Sequence, residues 1–275
     1  MFEVRDLNYL RAMSQAVGSP PLRTFASRLP KFIYRVGYRV VFRKRRVRNR
    51  ALLDAFQGKS GLEVGGPSLF FRYSFPIYRV AKSVDGINFA GTTMWEGQID
   101  AKRSFDYGVG SGGRQFIVEA TDLSEIGDNT YDFVLSCHSL EHVANPLRAL
   151  YEWKRVVKPG GYVLLVLPNK EANFDHLRPT TPFAHLVDDL NNGVDERDLT
   201  HLPEILKLHD LGRDKAAGDP VTFEKRSRDN HRNRGLHHHV FDIPLLRQVL
   251  AAVEIEEVFT HESYYDHLVI ARLEH

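Results

Sequence analysis

The sequence predicts an α/β fold: a doubly wound sheet of about seven strands, mostly parallel, with the last strand antiparallel. Three observations predict it. Two apolar runs, Tyr131–Ser136 and Tyr162–Pro168, are rich in Val, Leu and Phe, as strands covered on both faces are. One amphipathic helix fits between them, which makes a βαβ unit with a right-handed crossover. Short apolar runs also recur upstream at Gly61–Val64, Ala81–Asp85 and Gln115–Glu119, and downstream at Ile255–Thr260 and Asp266–Leu273. The final pair reads as a hairpin that turns the last strand against the others.

Taken in order, residues 1–57 form a basic helical extension, broken near Gly18–Pro21 and at Pro30. The domain proper, residues 58–275, opens with a strand running into Gly65-Gly66-Pro67-Ser68. Only glycine lets a ligand approach such a turn without a side chain in the way. Pro67 is expected to start the next helix, with Gly66 as its cap. Asp85 is expected to end the second strand. Gly86–Arg114 holds seven glycines and no periodicity, so it reads as loops with at most one short helix. Before the crossover helix, Asn145 is an N-cap and Pro146 occupies the first helical position. Lys158-Pro159-Gly160-Gly161 is expected to stop that helix and turn the chain. A later helix is expected near Thr200, capped by Thr200, and another behind Asp242.

The order of Leu62-Glu63-Val64-Gly65-Gly66, Val84-Asp85-Gly86, Thr121-Asp122-Leu123, Tyr131-Asp132-Phe133-Val134, Leu140-Glu141-His142 and Lys158-Pro159-Gly160-Gly161 resembles the class I S-adenosylmethionine-dependent methyltransferases, in particular the methyltransferase type 11 branch. The resemblance covers roughly residues 61–169 and implies a Rossmann-like fold and S-adenosyl-L-methionine as cofactor. It implies cofactor-binding roles for Glu63, Gly65, Gly66, Pro67, Asp85, Gly86, Asp122, Leu123, Ser136 and His138. Asp85 would take the ribose hydroxyls, and Asp122 with the neighbouring backbone N–H would take the adenine. The chain departs from the family's turn of three alternating glycines, since Gly65 and Gly66 are adjacent and Pro67 follows.

Composition limits the alternatives. The chain has 275 residues, 43% of them hydrophobic, enough for one large core plus additions. Cys137 is the single cysteine, so no disulfide framework exists and a cytoplasmic setting is expected. No signal peptide and no membrane-spanning run is expected. Charge is uneven: residues 1–50 carry a net +11, the remainder −9. Lys31–Arg50 interleaves nine Lys/Arg with aromatic and β-branched residues. That segment either packs an apolar stripe on the domain or lies peripherally on an anionic membrane. Nucleic acid is the weaker partner, because no motif that reads it accompanies the charge.

Residues 170–240 form an inserted cap with eight of the 13 histidines. It reads as too polar for a core and too long for a loop, and it should close over the substrate. Its spacings match no zinc motif, so no metal ligand is assigned. His138, His142 and His239 are the candidate catalytic residues, as a histidine near neutral pH suits a hydroxyl proton. His138 is expected to share one cavity with at least one of His176, His201, His209, His237 and His239. The expected activity is O-methylation of a hydroxyl on a sugar, glycan or small metabolite. N-methylation is the alternative. A nicotinamide-dependent enzyme and a non-catalytic binding protein on the same fold are the further rivals. The first of these lacks the expected GxGxxG turn.

Overall fold

The computed structural model describes residues 47, 49–93, 97–99, 104–110 and 112–274. Nearly all of the basic extension, including most of Lys31–Arg50, lies outside the described residues. Its last part is a short helix, α1 (Arg50–Asp54), whose N–H at Leu52 donates to the Asn49 side chain.

The sheet has seven strands: β1 (Ser60–Val64), β2 (Ser83–Asn88), β5 (Gln115–Ile117), β6 (Tyr131–Cys137), β7 (Val157–Pro168), β8 (Glu256–Glu262) and β9 (Asp266–Arg272). Their order across the sheet is β5-β2-β1-β6-β7-β9-β8. Every neighbouring pair from β5 to β7 is parallel, and β9 runs antiparallel to both β7 and β8. A two-residue hairpin, β3 (Thr92–Thr93) with β4 (Gly97–Gln98), stands apart. No helix occurs in 86–114 among the described residues.

Alternation along the strands separates two apolar faces. Leu62, Val64, Val134, Val163, Leu165 and Val269 face one cluster. It is closed by α2 (Pro146–Val156), α3 (Phe183–Asn191) and α7 (Ile243–Ala252) through residues such as Leu150, Trp153, Leu186 and Leu246. Phe133, Leu135, Leu164, Val166 and Ile270 face the other, covered by Phe56, Phe71, Phe75 and Ile77. Gly61 makes room there: a Cβ would stand 1.9 Å from the Phe133 ring.

The predicted caps of two helices stand. The Asn145 side chain accepts from Arg148 N–H at 3.1 Å, and Asp242 accepts from Leu245 N–H at 2.8 Å. Other boundaries differ. Lys158–Gly161 lies inside β7 as an irregularity, because Val157 already pairs with Tyr131 before the register resumes at Phe133 and Tyr162. Gly160 has φ 73°, which glycine takes without strain. Asp85 does not end β2, which runs three residues further to Asn88 because Gly86 and Ile87 continue both ladders. Pro67 does not start a helix. The Glu63 carboxylate holds Ser68 N–H instead, and a short π-helical turn, Phe70–Ser74, follows. Thr200 does not cap α4 (Leu202–Leu208), since His201 stands between them and the Thr200 hydroxyl donates to Asp198.

The cap has a core of its own, contrary to its polar composition. Leu202 and Ile205 of α4, Phe223 of α5 (Pro220–Arg228), Ala217 and Leu236 make a small apolar cluster. A short helix, α6 (Asn230–Asn233), then leads back to the sheet. Most of the remaining interior is polar. Arg178 is almost fully buried and binds Asp175, Glu204 and the carbonyls of His237 and His238.

Candidate active site

The carboxyl ends of β1, β2, β5, β6 and β7 share one edge, where parallel sheets place ligands. At β1 the turn is shaped by its own neighbours. A Cβ on Gly65 would meet Ser139 Oγ at 2.3 Å, and one on Gly66 would meet the Glu63 carboxyl at 2.3 Å. Gly65 also has φ 74°. Glu63 is fully buried, receives Ser68 N–H at 3.1 Å, and pairs with the Tyr78 hydroxyl. Burial and then the Glu63 charge push the Tyr78 hydroxyl well above its ordinary value. Glu63 thus braces the turn from beneath. The peptide bond between Gly66 and Pro67 is cis.

The strand-end positions differ from the sequence expectation at two places. Asp85 lies back from the edge, with its oxygens receiving the Tyr131 hydroxyl and Arg114 N–H, each at 2.7 Å. Asn88 takes the edge position on β2, and its side chain donates to the Gly66 carbonyl at 3.4 Å. Gly86 lies inside β2, packed under the Phe105 ring. Asp122 and Leu123 are also past the edge. Asp122 is exposed and closes a local turn with Ser124, which lowers its carboxyl. Leu123 N–H is held by Glu152 of α2 at 2.8 Å. Glu119, two residues beyond β5, stands nearer the edge than either. Burial raises its carboxyl, and Arg234 opposes that from 2.6 Å.

Arg234 comes from the cap. It pairs with Glu119 and Glu196 and lies over the Phe89 ring at 5.0 Å, so it draws the cap onto the ends of β2 and β5. Neither Glu119 nor Asn88 carries a motif that would have marked it.

Near the end of β6, Ser136 is buried between Val64 and Leu165. His138 follows at φ 51°, a left-handed conformation that histidine enters more readily than most residues. Its N–H donates to the Val166 carbonyl, and its ring remains 44% exposed. Nε2 lies 2.9 Å from Asp266 Oδ1 at the start of β9. With Nε2 protonated, the ring donates to this carboxylate. Cys137 beside it is held well above its ordinary thiol value by burial, then by the charges of Asp266, Glu63 and Glu141.

The other two candidate histidines are interior. His142 Nδ1–H donates to the Leu236 carbonyl at 2.8 Å, and burial drives its ring well below the ordinary value. His239 donates to the Ala144 carbonyl at 3.2 Å and is likewise lowered, chiefly by burial.

A narrow cleft with about 10 Å³ of free volume, room for one water, lies between the strand ends and the cap, lined by residues that include Glu141, Pro168, Lys170, Asp175, His237 and His239. His138 is not in its lining. Within the cleft His237 Nδ1 lies 2.5 Å from Asp175 Oδ2. Burial works against the Asp175 charge, but His237 and Arg178 outweigh it and bring the carboxyl down to about 2. Glu141 is fully buried, and neither carboxylate oxygen has a hydrogen-bond partner. Burial raises its carboxyl against the pull of His237 and His138. His176 and His209 turn to Asp210 and Asp214 instead.

Residues 77–165 match the family model described as a methyltransferase domain. Over that stretch the chain is similar to methyltransferase domains. Solved structures with a similar fold include S-adenosylmethionine-dependent methyltransferases from Methanosarcina mazei and Mesorhizobium loti. The first is 19% identical with a TM-score of 0.47, covering 81% of this chain and 97% of that one. The second is 14% identical with a TM-score of 0.48, covering 81% and 94%. The methyltransferase CalH, solved with S-adenosylhomocysteine, is 14% identical with a TM-score of 0.47, covering 81% and 54%. No curated protein sequence matches the chain. Among the described residues, no helix is long and apolar enough to cross a membrane.

Proposed function

We propose that this chain is an S-adenosylmethionine-dependent methyltransferase that methylates a hydroxyl group of a sugar, glycan or other small polar metabolite. The observation that carries the reading is the strand-end pair His138–Asp266: a partly exposed imidazole held at 2.9 Å by a carboxylate suits the removal of a hydroxyl proton.

The cofactor, when bound, supplies an electrophilic methyl group on a sulfonium. Gly65 and Gly66 lie in the turn after β1, and Asn88 and Glu119 put an amide and a carboxylate near the ends of β2 and β5. Gly65, Gly66, Asn88 and Glu119 would hold it, with Glu63 and Pro67 shaping the turn. His138 is the general base. Asp266 orients its ring and stabilises the imidazolium that forms. Catalysis then consists of alignment and proton removal.

The test is turnover against a panel of hydroxylated and amine acceptors, with cofactor binding followed separately by calorimetry. His138→Gln lowers kcat by about 100-fold or more, the scale of a lost general base, while S-adenosylhomocysteine affinity stays within about twofold. Methylation of amines alone, or unchanged turnover of the variant, would remove the reading.

A further inference from the structure

A second histidine cluster lies behind the wall of the cleft. His185 and Asp189 are four residues apart on α3 and so share one helix face. His201 precedes α4, and His239 lies on the segment returning to the sheet. One ligand atom from each of these four residues falls within 4.8 Å of the other three. Nε2 of His185 is 2.8 Å from Nε2 of His201 and 3.4 Å from Asp189 Oδ2, and Asp189 Oδ2 is 3.6 Å from His239 Nε2. Four ligands at about 2.0 Å around a tetrahedral ion stand roughly 3.3 Å apart, in the middle of that range.

The charges ask for a cation. Asp189 is about 95% buried, and its Oδ2, aimed at the three rings, accepts no hydrogen bond. Two imidazole nitrogens 2.8 Å apart can share one proton at most. A buried carboxylate oxygen left without a donor is costly.

We propose that His185, Asp189, His201 and His239 form a binding site for one divalent transition-metal ion of the zinc type. Three imidazoles and one carboxylate suit zinc. Four protein ligands close the tetrahedron, so the ion is structural. It ties α3, the start of α4 and the returning segment into one body. Ligation through His239 Nε2 moves its proton to Nδ1 and gives up the bond to the Ala144 carbonyl. Sequence spacing misses the site because the ligands come from three separate segments.

Glu141, His142 and His237 make a second grouping within the same distance limit. It is the weaker candidate, because His142 Nδ1 is engaged by the Leu236 carbonyl and His237 Nδ1 by Asp175.

The test uses the full chain, purified without chelator and without a nickel or cobalt resin. Mass spectrometry of bound metals is expected to find about one zinc per chain, or to find it after loading with Zn(II) alone and gel filtration. Co(II) in its place is expected to give the intense visible absorption of a tetrahedral site. Chelator is expected to lower the thermal midpoint of the wild-type chain. Asp189→Asn and His185→Gln are expected to lose the metal; the His185 side chain is 35% exposed, so that variant is expected to keep its fold. Glu141→Gln is expected to retain the ion. A chain that takes up no Zn(II) would overturn the proposal. So would full occupancy in folded His185→Gln and Asp189→Asn, or loss only in Glu141→Gln.

Discussion

Beneath the sheet, the buried side chains around Leu164 and Val166 are Phe56, Phe71 and Phe133. In the cap, the buried side chains include Arg178, Asn230, His238 and His239. Both interiors exclude water, but by different chemistry. The sheet removes apolar area, so each residue contributes nearly alone and any shape of similar volume suffices. The cap closes a polar network, in which each group is tolerable only while its partners are present. The sheet should therefore fail gradually under substitution, and the cap abruptly and locally.

The largest expected effects set these two modes side by side. Phe133→Ala removes a fully buried ring from the sheet and is expected to cost about 3–5 kcal/mol of global stability. Arg178→Met keeps the volume but leaves Asp175 and two carbonyls without their donor, at a comparable cost of about 3–5 kcal/mol. Hydrogen exchange tells them apart. The first should raise exchange throughout the sheet, whereas the second should open residues 170–240 and leave β6 and β7 protected. Equal loss of protection in both regions would mean that cap and sheet unfold as one unit.

Acid sharpens the same contrast. The Asp175 carboxyl is depressed to about 2, so its charged form is favoured by folding. That contribution, on the order of 2 kcal/mol, is complete above the ordinary carboxylate value of about 4 and is lost as pH falls from there towards 2. Denaturation followed across that window should show the wild type losing more stability than Asp175→Asn. Parallel curves would show that the ion pairs of the cap contribute nothing net.

The sheet was legible in the sequence for a physical reason. Strands covered on both faces must be apolar throughout, and Asn145-Pro146 can hardly be read except as a helix start. Period and capping are local, and the sequence displays them. Strand length is set by ladder partners elsewhere in the chain. Asp85 was therefore misplaced: nothing in Val84-Asp85-Gly86 shows that β5 extends the ladder to Asn88. For the same reason nothing local marks Glu119 or Asn88 as groups near the strand ends, while Asp122 closes a local turn. His138 was legible as a strand-end histidine; its partner Asp266, 128 residues away, was not. The cap concealed most, since polar networks leave no periodic trace.

Cofactor affinity provides a smaller test of that misplacement. Asn88→Ala and Glu119→Ala should each weaken S-adenosylhomocysteine binding by about 1–3 kcal/mol, the value of a lost hydrogen bond to a polar or charged group. Asp85→Asn should leave affinity unchanged and instead lower stability, because Tyr131 and Arg114 then face a neutral amide. Burial and the Asp85 charge already hold the Tyr131 hydroxyl high, so it remains the donor in that pair. The reverse pattern, with affinity lost in Asp85→Asn alone, would return the ribose role to Asp85.

The smallest expected effects come from two helix caps of the same chemistry, one in each region. Asn145 accepts from Arg148 N–H at the start of α2, and its amide also donates to the carbonyl of Asp189 at 3.0 Å. Asp219 accepts from Val221 and Thr222 N–H at the start of α5, at 2.9 and 3.0 Å, and is exposed. An N-cap replaced by alanine costs about 0.5–2 kcal/mol. Asn145→Ala should fall at the upper end, because the buried carbonyl of Asp189 loses its donor too. Asp219→Ala should fall at the lower end, because water replaces the lost acceptor. The difference should also appear in space. Asn145 joins α2 of the sheet layer to α3 of the cap, so its loss should raise exchange in both. Loss of Asp219 should raise exchange only in α5. If the two variants cost the same and α3 is unaffected by Asn145→Ala, the cap is attached to the sheet through the Arg234 and Arg178 networks rather than through this amide.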